Sequence, residues 1–150
     1  MSNSETTEPT DPTEPSSEPR TGTGLPSTGK MKFASVVTAL LGLYLVVSPF
    51  IIGGTDAGMW NDTLVGAVVF LLAAYNFVRL SRDRLASVGV ASLTVLLGLW
   101  LFVSPELIAM GDSQLASGTS MSGLLITILA AYVAYASHNA ETPERSRTRA

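Results

Sequence analysis

Residues 41–50, LGLYLVVSPF, return at residues 97–106 as LGLWLFVSPE. Six apolar positions and a Gly, a Ser and a Pro stay in register, which chance does not explain. A second echo follows each copy: Gly66 and the run Leu72, Ala73, Ala74, Tyr75 recur as Gly123 and Leu129, Ala130, Ala131, Tyr132. The two echoes differ in offset by a single residue, placed in the intervening loop, where insertions are tolerated. The chain is one hairpin unit written twice.

The hairpin belongs in a membrane. Of 150 residues, 47% are hydrophobic and 14% charged, and the two kinds are segregated along the chain. Between residues 33 and 137 the acids and bases are Asp56, Asp62, Arg79, Arg82, Asp83, Arg84, Glu106 and Asp112, all in gaps between apolar runs or at their ends. Those runs cover about 33–52, 64–80, 85–104 and 115–137. At about 1.5 Å per residue, roughly 20 residues cross a hydrocarbon layer of about 30 Å. A soluble bundle needs polar outer faces at helical spacing, and stretches such as VVTALLGLYLVV have none. The expected fold is therefore all-α: a four-helix transmembrane bundle of two parallel two-helix repeats, over 31–84 and 85–137. Because each repeat is a complete hairpin, the second enters the membrane in the same direction as the first. A pseudo-twofold axis along the membrane normal then relates them.

The flanks read differently. Residues 1–30 carry five acids and five prolines among Ser and Thr, with little to bury, and are expected to be a disordered acidic tail. Residues 138–150 are expected to be a polar tail that frays after the fourth helix. Met31-Lys32-Phe33 opens the first apolar run in the manner of an initiator, and translation starting there would omit the tail. A signal peptide over 30–54 is the weaker reading, because the run is long and lacks a small-x-small cleavage pattern.

Lysine and arginine set the orientation. All nine fall before the first helix (Arg20, Lys30, Lys32), between the second and third (Arg79, Arg82, Arg84), or after the fourth (Arg145, Arg147, Arg149). The other two loops carry only acids. By the positive-inside rule both termini and the central loop are expected in the cytoplasm, with the chain in the cell membrane.

Chemistry is sparse. With no cysteine and a single histidine there is no thiolate, disulfide or lipoprotein anchor, and His138 alone makes no metal cluster. No nucleophile sits beside a base, and no glycine loop follows a strand to hold phosphate. No catalytic, cofactor-binding or metal-binding residue is expected. The terminal RSRTRA suits anionic lipid headgroups better than nucleic acid.

Four features remain. Ser48-Pro49 and Ser104-Pro105 sit near the far ends of helices one and three, where each proline denies a donor to the carbonyl of Leu45 or Leu101. The preceding serine is placed to bond back and replace it. A terminus or kink is the plainer reading, a hinge beside a polar cavity the sharper one. Gly42, Gly98, Gly66 and Gly123, with the Ala pairs after them, are expected at helix seams. Trp60, Tyr44, Trp100, Tyr75, Tyr132 and Tyr135 suit a headgroup belt, and Asn61 or Asp62 is placed to cap helix two. Glu106 is expected in water at the interface; inside the membrane it would be functional.

The duplicated Ser-Pro motif and the Trp60-Asn61 pair opening the next helix resemble the SPW repeat family of small integral membrane proteins. The motif residues are Ser48, Pro49, Phe50, Trp60, Asn61, Ser104, Pro105 and Glu106, with Phe50 and Glu106 standing where the motif has tryptophan. The resemblance implies a membrane location and two helices per repeat, with no characterised activity. The expected role is that of a structural or partner subunit, without catalysis, among membrane lipids and either a membrane-protein partner or further copies of itself. The alternative is a small oligomeric channel or transporter. Charged side chains at mid-depth would favour that alternative, and the sequence has none.

Overall fold

A computed structural model describes the backbone of residues 28–148 and the side chains of residues 28–140. Four helices make it up: α1 (Thr28–Ile52), α2 (Asp56–Ser81), α3 (Val88–Leu107) and α4 (Ser113–Thr148). Each includes a stretch long and apolar enough to cross a membrane. The expected tail of residues 1–30 lies outside the described residues except for its last three, and these open α1.

Local chemistry sets the boundaries. Thr55 caps α2, its hydroxyl accepting from the Gly58 amide at 3.2 Å. Asp56 in the first turn complements the helix dipole. Cap roles for Asn61 or Asp62 are therefore corrected: both lie inside the helix. The α2–α3 turn passes through Asp83 at φ 56°, and Ser87 caps α3, so α3 begins three residues later than its apolar run. Asp112 caps α4, its Oδ1 accepting from the amides of Gln114 and Leu115 at 2.8 and 3.1 Å. The backbone of α4 continues to Thr148, past residue 138, where the polar tail is expected to begin.

The helices run up, down, up and down. At one end, here the basic end, Met31 of α1 meets Leu80, Ala86, Val133 and Ala136. At the opposite, acidic end the two loops are tied together. The Thr55 amide donates to the Met110 carbonyl at 3.0 Å, and its hydroxyl donates to that of Ala109.

Packing repeats with the sequence. A Cβ on Gly42 would stand 2.7 Å from the Phe70 nitrogen and 2.8 Å from the Gly66 carbonyl oxygen. One on Gly98 would stand 2.8 Å from the Thr127 nitrogen and 2.9 Å from the Gly123 oxygen. These are the same contacts in the two copies, so the α1–α2 and α3–α4 seams are built alike. In lipid such close backbone approach supplies the dispersion contacts that hold helices together.

Polarity is inverted relative to a water-soluble bundle. Leu40, Ile51, Leu71, Leu96, Ile128 and Tyr135 are exposed, while Ser35, Thr38, Asp62, Asn76, Thr94, Thr119 and Ser137 are buried. Hydrocarbon solvates the first set, and Thr38, Asp62, Asn76, Thr94, Thr119 and Ser137 of the second find hydrogen-bond partners inside the bundle.

Candidate functional site

Three layers stack along the pseudo-twofold axis away from the basic cluster; the first two are built from residues that correspond in the two repeats, and the third is centred on one such pair. The first is a cavity of about 10 Å³, space for about one water. Its walls are four matched pairs: Ser35 with Ala91, Thr38 with Thr94, Ala73 with Ala130, and Asn76 with Val133. Thr38 and Thr94 direct their hydroxyls back to the Ala34 and Val90 carbonyls at 2.8 and 2.9 Å. Asn76 Oδ1 accepts from the Ser87 amide at 2.9 Å. The cavity's polar groups are thus largely engaged.

Leu45, Val69, Leu101 and Ile126 form the second layer, all fully buried. They close the axis with hydrocarbon. Beyond them, beneath the Ser-Pro pairs, lies the polar third layer, which is the candidate site.

Its centre is Asp62 of α2, fully buried, against Thr119 of α4. Asn61 Nδ2 donates to Asp62 Oδ1 at 3.1 Å and to Ser104 Oγ of α3 at 3.2 Å. Trp100 Nε1, one turn before Ser104, donates to Asn61 Oδ1 at 2.8 Å. Ser104 in turn donates to the Leu101 carbonyl at 3.3 Å, replacing the donor that Pro105 lacks. That half of the serine expectation holds. Ser48 departs from it: its hydroxyl is buried and has no partner. The repeat accounts for the absence of a donor to it. Asn61, which serves Ser104, corresponds to Gly118 in the other copy, and glycine has no side chain to offer Ser48. The space beside Gly118 is taken by the Tyr44 hydroxyl, 2.8 Å from where a Cβ would stand.

The motif residues therefore divide. Asn61 and Ser104 meet in the polar layer, and Ser48 and Pro49 are buried on the α1 side of it. Pro49 and Pro105 both sit inside the last turns of their helices and end neither. Phe50, Trp60 and Glu106 are exposed. Phe50 and Trp60 border a shallow outer groove with Asp56, Met59 and Thr63. Sequence reasoning missed Asp62, Thr119 and Trp100 as members of the layer. A signal existed for the first two, since Asp62 lies four residues before Gly66 and Thr119 four before Gly123, on the stripe the glycines mark.

The layer holds one acid, one amide, hydroxyls and an indole N–H. Such a set can bind a proton or orient a small polar group, but it has no nucleophile–base pair. Among the described residues no three His, Cys, Asp or Glu side chains come together to hold a metal.

No curated protein and no solved structure matches the chain. The SPW repeat domain matches residues 32–134, covering both hairpins, their Ser-Pro pairs and the Asp62–Thr119 layer. With four membrane-capable helices and that match over most of its length, this multi-pass membrane protein belongs to the SPW repeat family.

Proposed function

We propose that this protein is a structural or partner subunit of the cell membrane, with both termini and the α2–α3 turn in the cytoplasm and without catalysis of its own. The observation that carries the reading is the hydrocarbon layer of Leu45, Val69, Leu101 and Ile126, fully buried between two polar layers. An ion or polar solute following the axis of one bundle has to cross it without a polar partner, at a cost of several kcal/mol or more. Backbone contact at the Gly42–Gly66 and Gly98–Gly123 seams further resists opening. The outward apolar side chains suit lipid, another membrane protein or a second copy. Nucleic acid has no place in this reading, since the basic residues lie in short loops and tails.

Reconstitution tests it. Proteoliposomes holding the purified full chain are expected to leak protons, sodium and small solutes no faster than empty vesicles. Native mass spectrometry from lipid nanodiscs is expected to show a defined assembly. A flux abolished by Ser48→Ala or Pro105→Ala in a folded, inserted protein would instead establish the oligomeric transporter.

A further inference from the structure

We infer that Asp62 is a proton-binding site, its carboxyl carrying a proton that it donates to the Thr119 hydroxyl across the pseudo-twofold axis.

A threonine hydroxyl has one proton. Thr119 Oγ1 stands 3.0 Å from the Leu115 carbonyl, the same backward bond that Thr38, Thr94 and Thr127 make at 2.8, 2.9 and 2.8 Å. The same hydroxyl lies within hydrogen-bond distance of Asp62 Oδ2 and can donate to only one of the two; directed to Leu115, as in the other three threonines, it leaves only lone pairs for Asp62 Oδ2, and two acceptors hydrogen-bond only through a proton on one of them. With Thr119 assigned as the other three threonines are, Asp62 supplies it, and the absence of a cation beside the buried carboxyl supports that assignment.

The rest of the layer closes around that assignment. Trp100 has only an N–H to give, so Asn61 turns its oxygen toward Trp100 and its NH₂ toward Asp62 and Ser104. Those two N–H groups go to Asp62 Oδ1 and Ser104 Oγ, and the Ser104 proton goes to the Leu101 carbonyl. Every donor in the chain from Trp100 to Leu115 then has one acceptor, with a single added proton on Asp62 Oδ2.

Among the described residues the charged alternative lacks a counter-ion. The partners of Asp62 are a neutral amide and a neutral hydroxyl. Around this end of the bundle the titratable groups are Asp56 on α2 itself, Tyr44 on α1, Glu106 on α3 and Asp112 on α4, none of them a cation. All nine basic residues belong to the opposite end or the tails. A bare carboxylate in a fully buried position within a membrane span is strongly disfavoured. The inference is independent of the subunit reading, because a chain that passes no solute still binds this proton.

Infrared difference spectroscopy of the full chain in lipid nanodiscs tests it. At neutral pH the wild type is expected to show the C=O stretch of a neutral carboxylic acid that is lost in Asp62→Asn. Only ionised-carboxylate bands for Asp62 would overturn the inference. So would an acid band that emerges only on removal of sodium, since a metal cation would then be the ligand. Asn at position 62 reproduces the neutral acid's donor and acceptor, so D62N is expected to match wild-type melting at neutral pH and to lose any stability change seen at alkaline pH. Should D62N not fold, Thr119→Val supplies the second readout. It removes the acceptor of the O–H, and the acid band is expected to move to the frequency of a free carboxyl; an unmoved band would overturn the assignment.

Discussion

Asp62 and Thr119 hold the same place in the two repeats and are hydrogen-bonded to each other. A residue can touch its own counterpart only on the axis that relates the copies, so this bond marks where the two hairpins meet. Leu45 with Leu101 and Val69 with Ile126 surround the same axis one layer down. In an ancestral hairpin paired with a second copy of itself, both positions would have held one residue type. The duplicated chain places an acid on one side and a hydroxyl on the other, a complementary pair that two identical positions could not provide.

Removing one member of that pair is expected to cost more than removing both. Thr119→Ala leaves the buried Asp62 without its partner, and a loss of about 1–3 kcal/mol is expected. Thr119→Ser keeps the hydroxyl and should be close to wild type. The double change Asp62→Val with Thr119→Val removes both polar groups and should recover much of the loss. Unfolding titrations in mixed micelles measure these three variants together with the Asp62→Val and Thr119→Val singles; a double variant worse than the sum of its singles would contradict the pairing.

The glycine seams predict a sharp contrast. Gly123 lies where a Cβ would stand 2.5 Å from the Phe102 nitrogen, whereas nothing lies within 4 Å of one on Gly29. Backbone cannot move aside as a side chain can. Gly123→Val is expected to lose about 1–3 kcal/mol or more through overpacking, and Gly29→Ala to change stability little. Thermal melts followed by circular dichroism check both.

Much of the fold was legible because the chain repeats itself. Gly42 and Gly98, Gly66 and Gly123 could be matched by eye, and the seams fall where small residues recur. The polar layer was harder to read for a physical reason. Asp62 sits in a run of loop-like residues, GGTDAGMWND, and its polarity masks its place on the buried stripe Gly58, Asp62, Gly66, Val69, Ala73, Asn76 and Leu80. The cap fell to Thr55, seven residues earlier, which carried α2 through that run. Trp100 could not be found this way: its bond to Asn61 joins different repeats, and no spacing along the chain encodes it.

Orientation gives a prediction independent of packing. The basic end, with Arg79, Arg82 and Arg84 in or beside the α2–α3 turn, is expected in the cytoplasm. A fluorescent reporter fused after Ala150 should be active inside the cell, and a periplasmic-type phosphatase fused within residues 108–112 should be active outside. Moving two arginines into the loop at 53–55 while replacing Arg82 and Arg84 should weaken or invert that pattern.

The two serines of the duplicated motif are predicted to behave differently. Ser104 donates to the carbonyl that Pro105 leaves bare and accepts from Asn61. Ser104→Ala therefore leaves both groups unmatched, and a cost of about 1–3 kcal/mol is expected. Ser48 looks identical in sequence, and its hydroxyl would be expected to do the same for Leu45. Instead it is buried without a partner, and Gly118 stands where the other copy has the donor Asn61. Ser48→Ala removes an unsatisfied polar group and should leave stability unchanged or raise it by up to about 1 kcal/mol. Gly118→Asn does not simply restore the symmetry, since the Tyr44 hydroxyl occupies the space a side chain there would need. Combined with Tyr44→Ala, however, it should give Ser48 a partner, and the cost of Ser48→Ala should rise toward that of Ser104→Ala. Equal costs for the two serines in the unaltered background would show that Ser48 has a partner after all.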